Sequence, residues 1–142
     1  MKKVVIDSSV AIKWYVPQPY SSQAIQILND YQAGMIALLA PDLIYAEVGN
    51  ITWKLYRLQG LSASDAQTII DAFQLVKFNI VPAASLLNDA YQFAVTYQRS
   101  VYDSLYIAWS LRQRCQFVTA DQKLVNAVSA THPNVISIAN WS

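Results

Sequence analysis

Short apolar runs without alternation, each followed by a stretch of helical period, constrain this 142-residue chain most tightly. Val4 to Asp7 is such a run. Its successive β-branched residues are the pattern of a strand buried on both faces. Gln116 to Thr119 reads the same way, and Met35 to Leu39, Phe78 to Val81 and Val135 to Ile138 supply further short strands. Between them the periodicity predicts a helix over 21–33, with Ala24, Ile27, Leu28 and Tyr31 on one face and Gly34 as its C-cap. A long helix is predicted to open at Pro41 and run to about Leu58, closed by Gly60. Others follow from Ser62 or Ser64 to about Val76, over 84–98, over 102–113 with Ser100 as cap, and from Asp121 to Val128. Near the start, Ser8 or Ser9 caps a helix to about Tyr15, which Pro17 and Pro19 end. Strands alternating with helices imply an α/β fold, with a parallel sheet covered on both faces. The length fits a single domain, 1–142.

The acids come next. Glu47 is the chain's one glutamate, although helix surfaces normally use many. It sits in the apolar run Pro41-Asp-Leu-Ile-Tyr-Ala-Glu-Val-Gly-Asn50. Asp7, Asp103 and Asp121 lie in equally apolar settings. Asp7 ends the first strand, and Asp121 lies just past the end of a later one. Ligands of open α/β sheets bind outside those carboxyl ends. Asp103 opens a helix, where the dipole favours an anion. All four can reach one pocket.

Such a group needs a counter-charge. Two carboxylates about 4 Å apart repel by roughly 4 kcal/mol at an effective dielectric of about 20, and protons would move onto some of them unless a cation compensates. A hard divalent ion, Mg²⁺ or Mn²⁺, suits oxygen ligands. Zinc does not fit a chain with one His and one Cys that lack ligand spacing. Acids without a His base or a Cys nucleophile point to metal-assisted phosphodiester hydrolysis.

Around these acids, Ser8, Ser9 and Thr119 are placed to orient Asp7 or a metal-bound water, and Asn50, three residues after Glu47, to bond to that carboxylate or to a metal-bound water. Lys13, Lys54, Arg99, Arg112 and Arg114 are candidate phosphate contacts, the first three being the substrate-binding candidates retained. Trp14, Tyr15, Trp53, Tyr56, Tyr102 and Tyr106 are divided between base stacking, core and interface. His132, beside Pro133, reads as structural.

Net charge is +1, so no global field draws the chain to nucleic acid. Neutralising the four acids leaves ten Lys and Arg against 9 − 4 = 5 acids, a moderately basic exterior suited to a polyanion. Charged residues reach only 13% and hydrophobic ones 54%, which predicts an apolar patch covered by a partner. Cys115, the lone cysteine, reads as a small hydrophobe near the end of a helix. The opening apolar run is too short for a signal peptide, and Met35 to Ala40 is too short for a membrane span. A cytoplasmic protein is expected.

The motifs resemble those of the PIN-domain nucleases, in particular the VapC-type toxins, from Val4 to about Leu124. Val-Val-Ile-Asp7-Ser-Ser-Val is similar to that family's first motif, Pro41 through Glu47 and Asn50 to the second, Tyr102-Asp103-Ser-Leu-Tyr-Ile-Ala to the third, and Val118-Thr-Ala-Asp121 to the fourth. The resemblance implies a three-layer α/β/α domain with four to five parallel strands. It implies Mg²⁺- or Mn²⁺-dependent endoribonuclease activity on single-stranded or loop RNA, with Asp7, Glu47, Asp103 and Asp121 as metal ligands. It also implies a homodimer and a cognate antitoxin whose tail enters the acidic groove. Lys123 stands where some members carry a further acid, so a second metal would be weakly held or arrive with substrate. The alternatives are a housekeeping PIN ribonuclease without an antitoxin and an inactive module that binds RNA or protein. A phosphoacceptor receiver domain fits poorly, because Asp7 is followed by serines rather than a second acid.

Overall fold

A computed structural model of the chain describes residues 1–141. Strand β1 (Lys2–Ile6) passes into a short helix α1 (Ser8–Ala11) that tightens into a 3-10 turn over Ile12–Trp14. There follow α2 (Ser21–Gln32), β2 (Ile36–Pro41), α3 (Leu43–Gln59), α4 (Ala63–Gln74), β3 (Asn79–Val81), α5 (Ala83–Tyr97) and α6 (Val101–Gln113). Strand β4 (Gln116–Thr119), α7 (Gln122–Val128) and β5 (Val135–Ser137) lead to a closing 3-10 turn, Ile138–Asn140.

The strands form one parallel sheet in the order β3-β2-β1-β4-β5. Val5 sits in register with Leu39 on one side and Phe117 on the other. Successive side chains of a strand point to opposite faces. Val4, Val5 and Ile6 are nevertheless all buried, as are Leu38, Leu39 and Ala40. Helices therefore cover both faces, as the unbroken apolar runs predict. Tyr106 and Ile107 of α6 join the sheet core, and a second apolar cluster of Val81, Leu86, Ala90, Leu105 and Ala108 forms where α5 packs on α6.

Two boundaries differ from the sequence reading. Pro41 does not open α3. It ends β2 in register with Val81, and the next amide, Asp42 N, donates to Val81 O at 3.0 Å. The ladder bond to Val81 is thus supplied by the Asp42 amide, and the missing proline N–H is not needed there. The cap of α1 is Asp7, whose carboxylate accepts from Val10 N, rather than Ser8 or Ser9. A carboxylate is the stronger acceptor at a helix start, and the Ser9 hydroxyl is engaged by Asp7 itself. Gly60 closes α3 as expected, in the left-handed region at φ 77° that L-residues with a Cβ disfavour.

The expected apolar exterior is present. Trp53 is 54% exposed and Tyr56 46% on α3, while Leu87, Tyr91 and Val95, each more than half exposed, form an i, i+4, i+8 stripe on α5. Among the described residues no helix is long and apolar enough to cross a membrane.

Candidate active site

Strand order runs from β1 through β2 to β3 on one side and resumes with β4 and β5 on the other. The crevice between β1 and β4 is thus the switch point at which α/β sheets bind ligands. Asp7 follows β1 directly, and Asp121 follows β4 after Ala120. Helix α3 brings Glu47 and the first turn of α6 brings Asp103.

Asp7 is almost fully buried. One carboxylate oxygen accepts from Ser9 Oγ and, at 3.3 Å, from Val10 N; the other accepts from Thr119 Oγ1 at 2.6 Å. Both hydroxyls accept in turn from the far strand's exit, Ser9 Oγ from Ala120 N at 3.0 Å and Thr119 Oγ1 from Asp121 N at 3.2 Å. The network binds the ends of β1 and β4 together. Burial pushes the Asp7 carboxyl up to about 6 against these donors, and the charge of Glu47 adds to the rise.

Glu47 is half-buried and accepts from the phenol of Tyr106. Burial raises its pKa, the Asp103 charge raises it further, and Tyr106 and Ser8 oppose the rise. Asp103 behaves alike. Burial and then the Asp121 charge raise its pKa, while the Ser100 cap and the Arg99 charge lower it. Asp121 is exposed, and its carboxylate caps α7 by accepting from Leu124 N at 3.1 Å. Each acid acts on the next, Asp121 on Asp103, Asp103 on Glu47 and Glu47 on Asp7. The folding topology brings all four into one electrostatic chain.

This donor set fits a hard divalent cation. The donors are oxygens, and three carboxylates are held above their usual range by burial and mutual repulsion, which a cation would relieve. Among the described residues no group of three or more acid, His or Cys side chains lies close enough together to hold a metal ion by itself. An open arrangement suits Mg²⁺, which keeps several waters and takes one or two direct carboxylates.

The supporting residues are distributed differently from the sequence reading. Ser9 and Thr119 do serve Asp7, but Ser8 acts on Glu47. Asn50 is exposed and makes no hydrogen bond to Glu47. Lys54 is also exposed. Arg99 is partly buried beside Asp103. Lys13 is buried, donates to Gln18 Oε1 at 3.1 Å, and interacts with the charge of Asp7. Arg112 is occupied by Asp89 at 3.0 Å. His132 is structural, edge-on to Phe93 and Tyr97. Tyr106 is the site residue whose role sequence reasoning missed. Its spacing of three after Asp103 puts both on one face of α6, a signal present in Asp103-Ser-Leu-Tyr106.

Residues 4–129 match the family model described as PIN domain. Ribonuclease VapC3 of Pyrobaculum aerophilum is 29% identical over 132 residues, covering 90% of this chain and 96% of that protein. The crystal structure of PAE2754 from the same organism superposes with a TM-score of 0.68 at 18% identity, over 97% of this chain and 85% of that one. A toxin–antitoxin complex from Klebsiella pneumoniae gives a TM-score of 0.62 at 15% identity, over 95% and 97%. At those identities the two structures speak for the fold.

Proposed function

The chain belongs to the PIN domain family, and on that premise we propose that it is a metal-dependent endoribonuclease, the toxin of a VapBC-type toxin–antitoxin pair, built as one domain. The observation that carries this reading is the chain of four interacting carboxylates at the switch point, three of them raised by burial and by one another. A site that disfavours its own ionised state, yet is lined with ionisable oxygen donors, is arranged for a cation.

Asp7, Glu47, Asp103 and Asp121 hold the metal in this reading. Bound Mg²⁺ or Mn²⁺ supplies Lewis acidity and a water of lowered pKa at the scissile phosphate. The chain's own residues do the rest. Ser9, Thr119 and the Val10 amide fix both oxygens of Asp7, and Tyr106 fixes Glu47. Lys13 and Arg99 offer cationic contacts beside Asp7 and Asp103 for the RNA phosphates.

The relatives' names support the toxin role. One similar protein is called a ribonuclease, and one similar structure is a toxin–antitoxin complex. The exposed aromatic residues of α3 and apolar stripe of α5 favour a protein partner, an antitoxin or a second copy of this chain. A cytoplasmic location follows from that role.

The test is cleavage of labelled structured and unstructured RNA by purified protein with EDTA, Mg²⁺ or Mn²⁺, beside an Asp103→Asn variant. Metal-dependent cutting lost in the variant is expected. Full activity in folded Asp103→Asn protein overturns the assignment.

A further inference from the structure

Resting on the reading that the acids bind a divalent ion, we propose that Tyr106 is a positioning residue, holding one oxygen of Glu47 in place so that the other is presented to the metal. The phenol donates to Glu47 Oε1 from a residue 59 positions away. Tyr106 itself is 1% exposed, so its hydroxyl has Glu47 rather than bulk solvent as its partner. The ring lies 5.7 Å from that of Phe117 and nearly parallel to it at 12°, which fixes it against β4.

The position of this phenol sets it apart from an ordinary buried tyrosine. Beyond its bond to Glu47, it lies within reach of the charges of Asp7 and Asp103. It is also one turn beyond Asp103 on the same helix. Helix α6 therefore contributes one carboxylate directly and orients a second, carried by α3. Asp7 has three donors across its two oxygens; Glu47 has the phenol of Tyr106 as its buried donor, with the Ser8 hydroxyl beside it. Without it, Glu47 loses its buried donor and gains rotational freedom on a flexible three-torsion side chain.

Partners that orient metal ligands typically contribute a factor of about 10–100 in metal affinity. Tyr106→Phe keeps the ring, and hence the packing on Phe117, and removes only the donor. Mn²⁺ titration calorimetry of the full chain, wild type beside Tyr106→Phe, reads the effect directly, with circular dichroism and thermal melts reporting the folded fraction. The expected result is Mn²⁺ affinity about 10–100-fold weaker per folded molecule. In a Glu47→Ala background, Tyr106→Phe is expected to change the affinity no further, because the carboxylate it holds is gone.

Equal Mn²⁺ affinity in folded wild-type and Tyr106→Phe proteins overturns this inference and leaves the nuclease reading standing. An additive loss in the Glu47→Ala background overturns it too, because the phenol would then act elsewhere. Absence of Mn²⁺ binding to the wild type removes the metal-dependent reading and this inference with it.

Discussion

Thr119 Oγ1 donates to Asp7 Oδ2 at 2.6 Å, joining two residues 112 positions apart in the chain. The parallel pairing of β1 with β4, Ile6 opposite Val118, brings them together. The hydroxyl is fully buried and accepts from the Asp121 amide as well, so one threonine ties the first acid to the last.

Thr119→Val keeps the shape and removes the bond. A hydrogen bond to a charged group contributes about 1.5–3 kcal/mol. Losing a donor to the ionised form lifts the Asp7 carboxyl further above its raised value. The acidic limb of the pH–rate profile is expected to move up accordingly. A profile that falls in amplitude without moving would assign Thr119 to packing alone.

The metal-free protein is expected to lose stability as pH rises. Asp7 has its carboxyl raised from 3.8 to about 6 by burial. The folded state therefore binds the proton more tightly than the unfolded state. The contribution is full below about 4 and is lost as pH rises through about 6, amounting to roughly 3 kcal/mol. Glu47 and Asp103 are shifted in the same direction. Urea unfolding with EDTA at about pH 5 and about pH 7.5 measures it. Asp7→Asn should flatten the curve, and saturating Mn²⁺ should remove the fall between about pH 4 and about pH 6, because the metal binds the ionised form.

Lys13 is buried, with Gln18 as its hydrogen-bond partner. An ammonium so placed is costly to the fold. Lys13→Met is therefore expected to leave the melting temperature equal or higher while weakening RNA binding. The slope of log affinity against log salt should fall by about 0.7, the share of one phosphate contact on a single strand. Anisotropy with labelled RNA in an Asp103→Asn background measures both. Unchanged affinity and slope would leave Lys13 as a structural residue.

Asp121 has two separable jobs. Its carboxylate caps α7 through Leu124 N, and its charge acts on Asp103. Asparagine retains the cap and alanine does not, a difference of about 1 kcal/mol. Asp121→Asn should melt with the wild type and Asp121→Ala below it, while both lose cleavage. Retained cleavage in Asp121→Asn would confine this residue to capping.

Much was legible in the sequence because much of the fold is local. Unbroken apolar runs such as Val4 to Ile6 imply strands buried on both faces. Ser100 and Gly60 mark helix ends by hydrogen-bonding and backbone preferences that act over a few residues. A solitary Glu47 among apolar neighbours announces itself, as do Asp7 and Asp103. Pro41 misled because a proline at the end of a strand and one at the start of a helix have the same local signature; the pairing with Val81 decides between them.

By itself, then, the sequence determined the alternation of strands and helices and singled out four acids that the fold brings into electrostatic reach of one another. The tertiary structure alone decided that Thr119 and Ser9 serve Asp7, that Ser8 and Tyr106 serve Glu47, that Asn50 faces solvent, and that Lys13 is buried beside an acid. The reason is physical. Periodicity and capping are set by neighbours three or four residues apart, whereas a hydroxyl's partner across 59 or 112 positions is selected by how helices and strands pack.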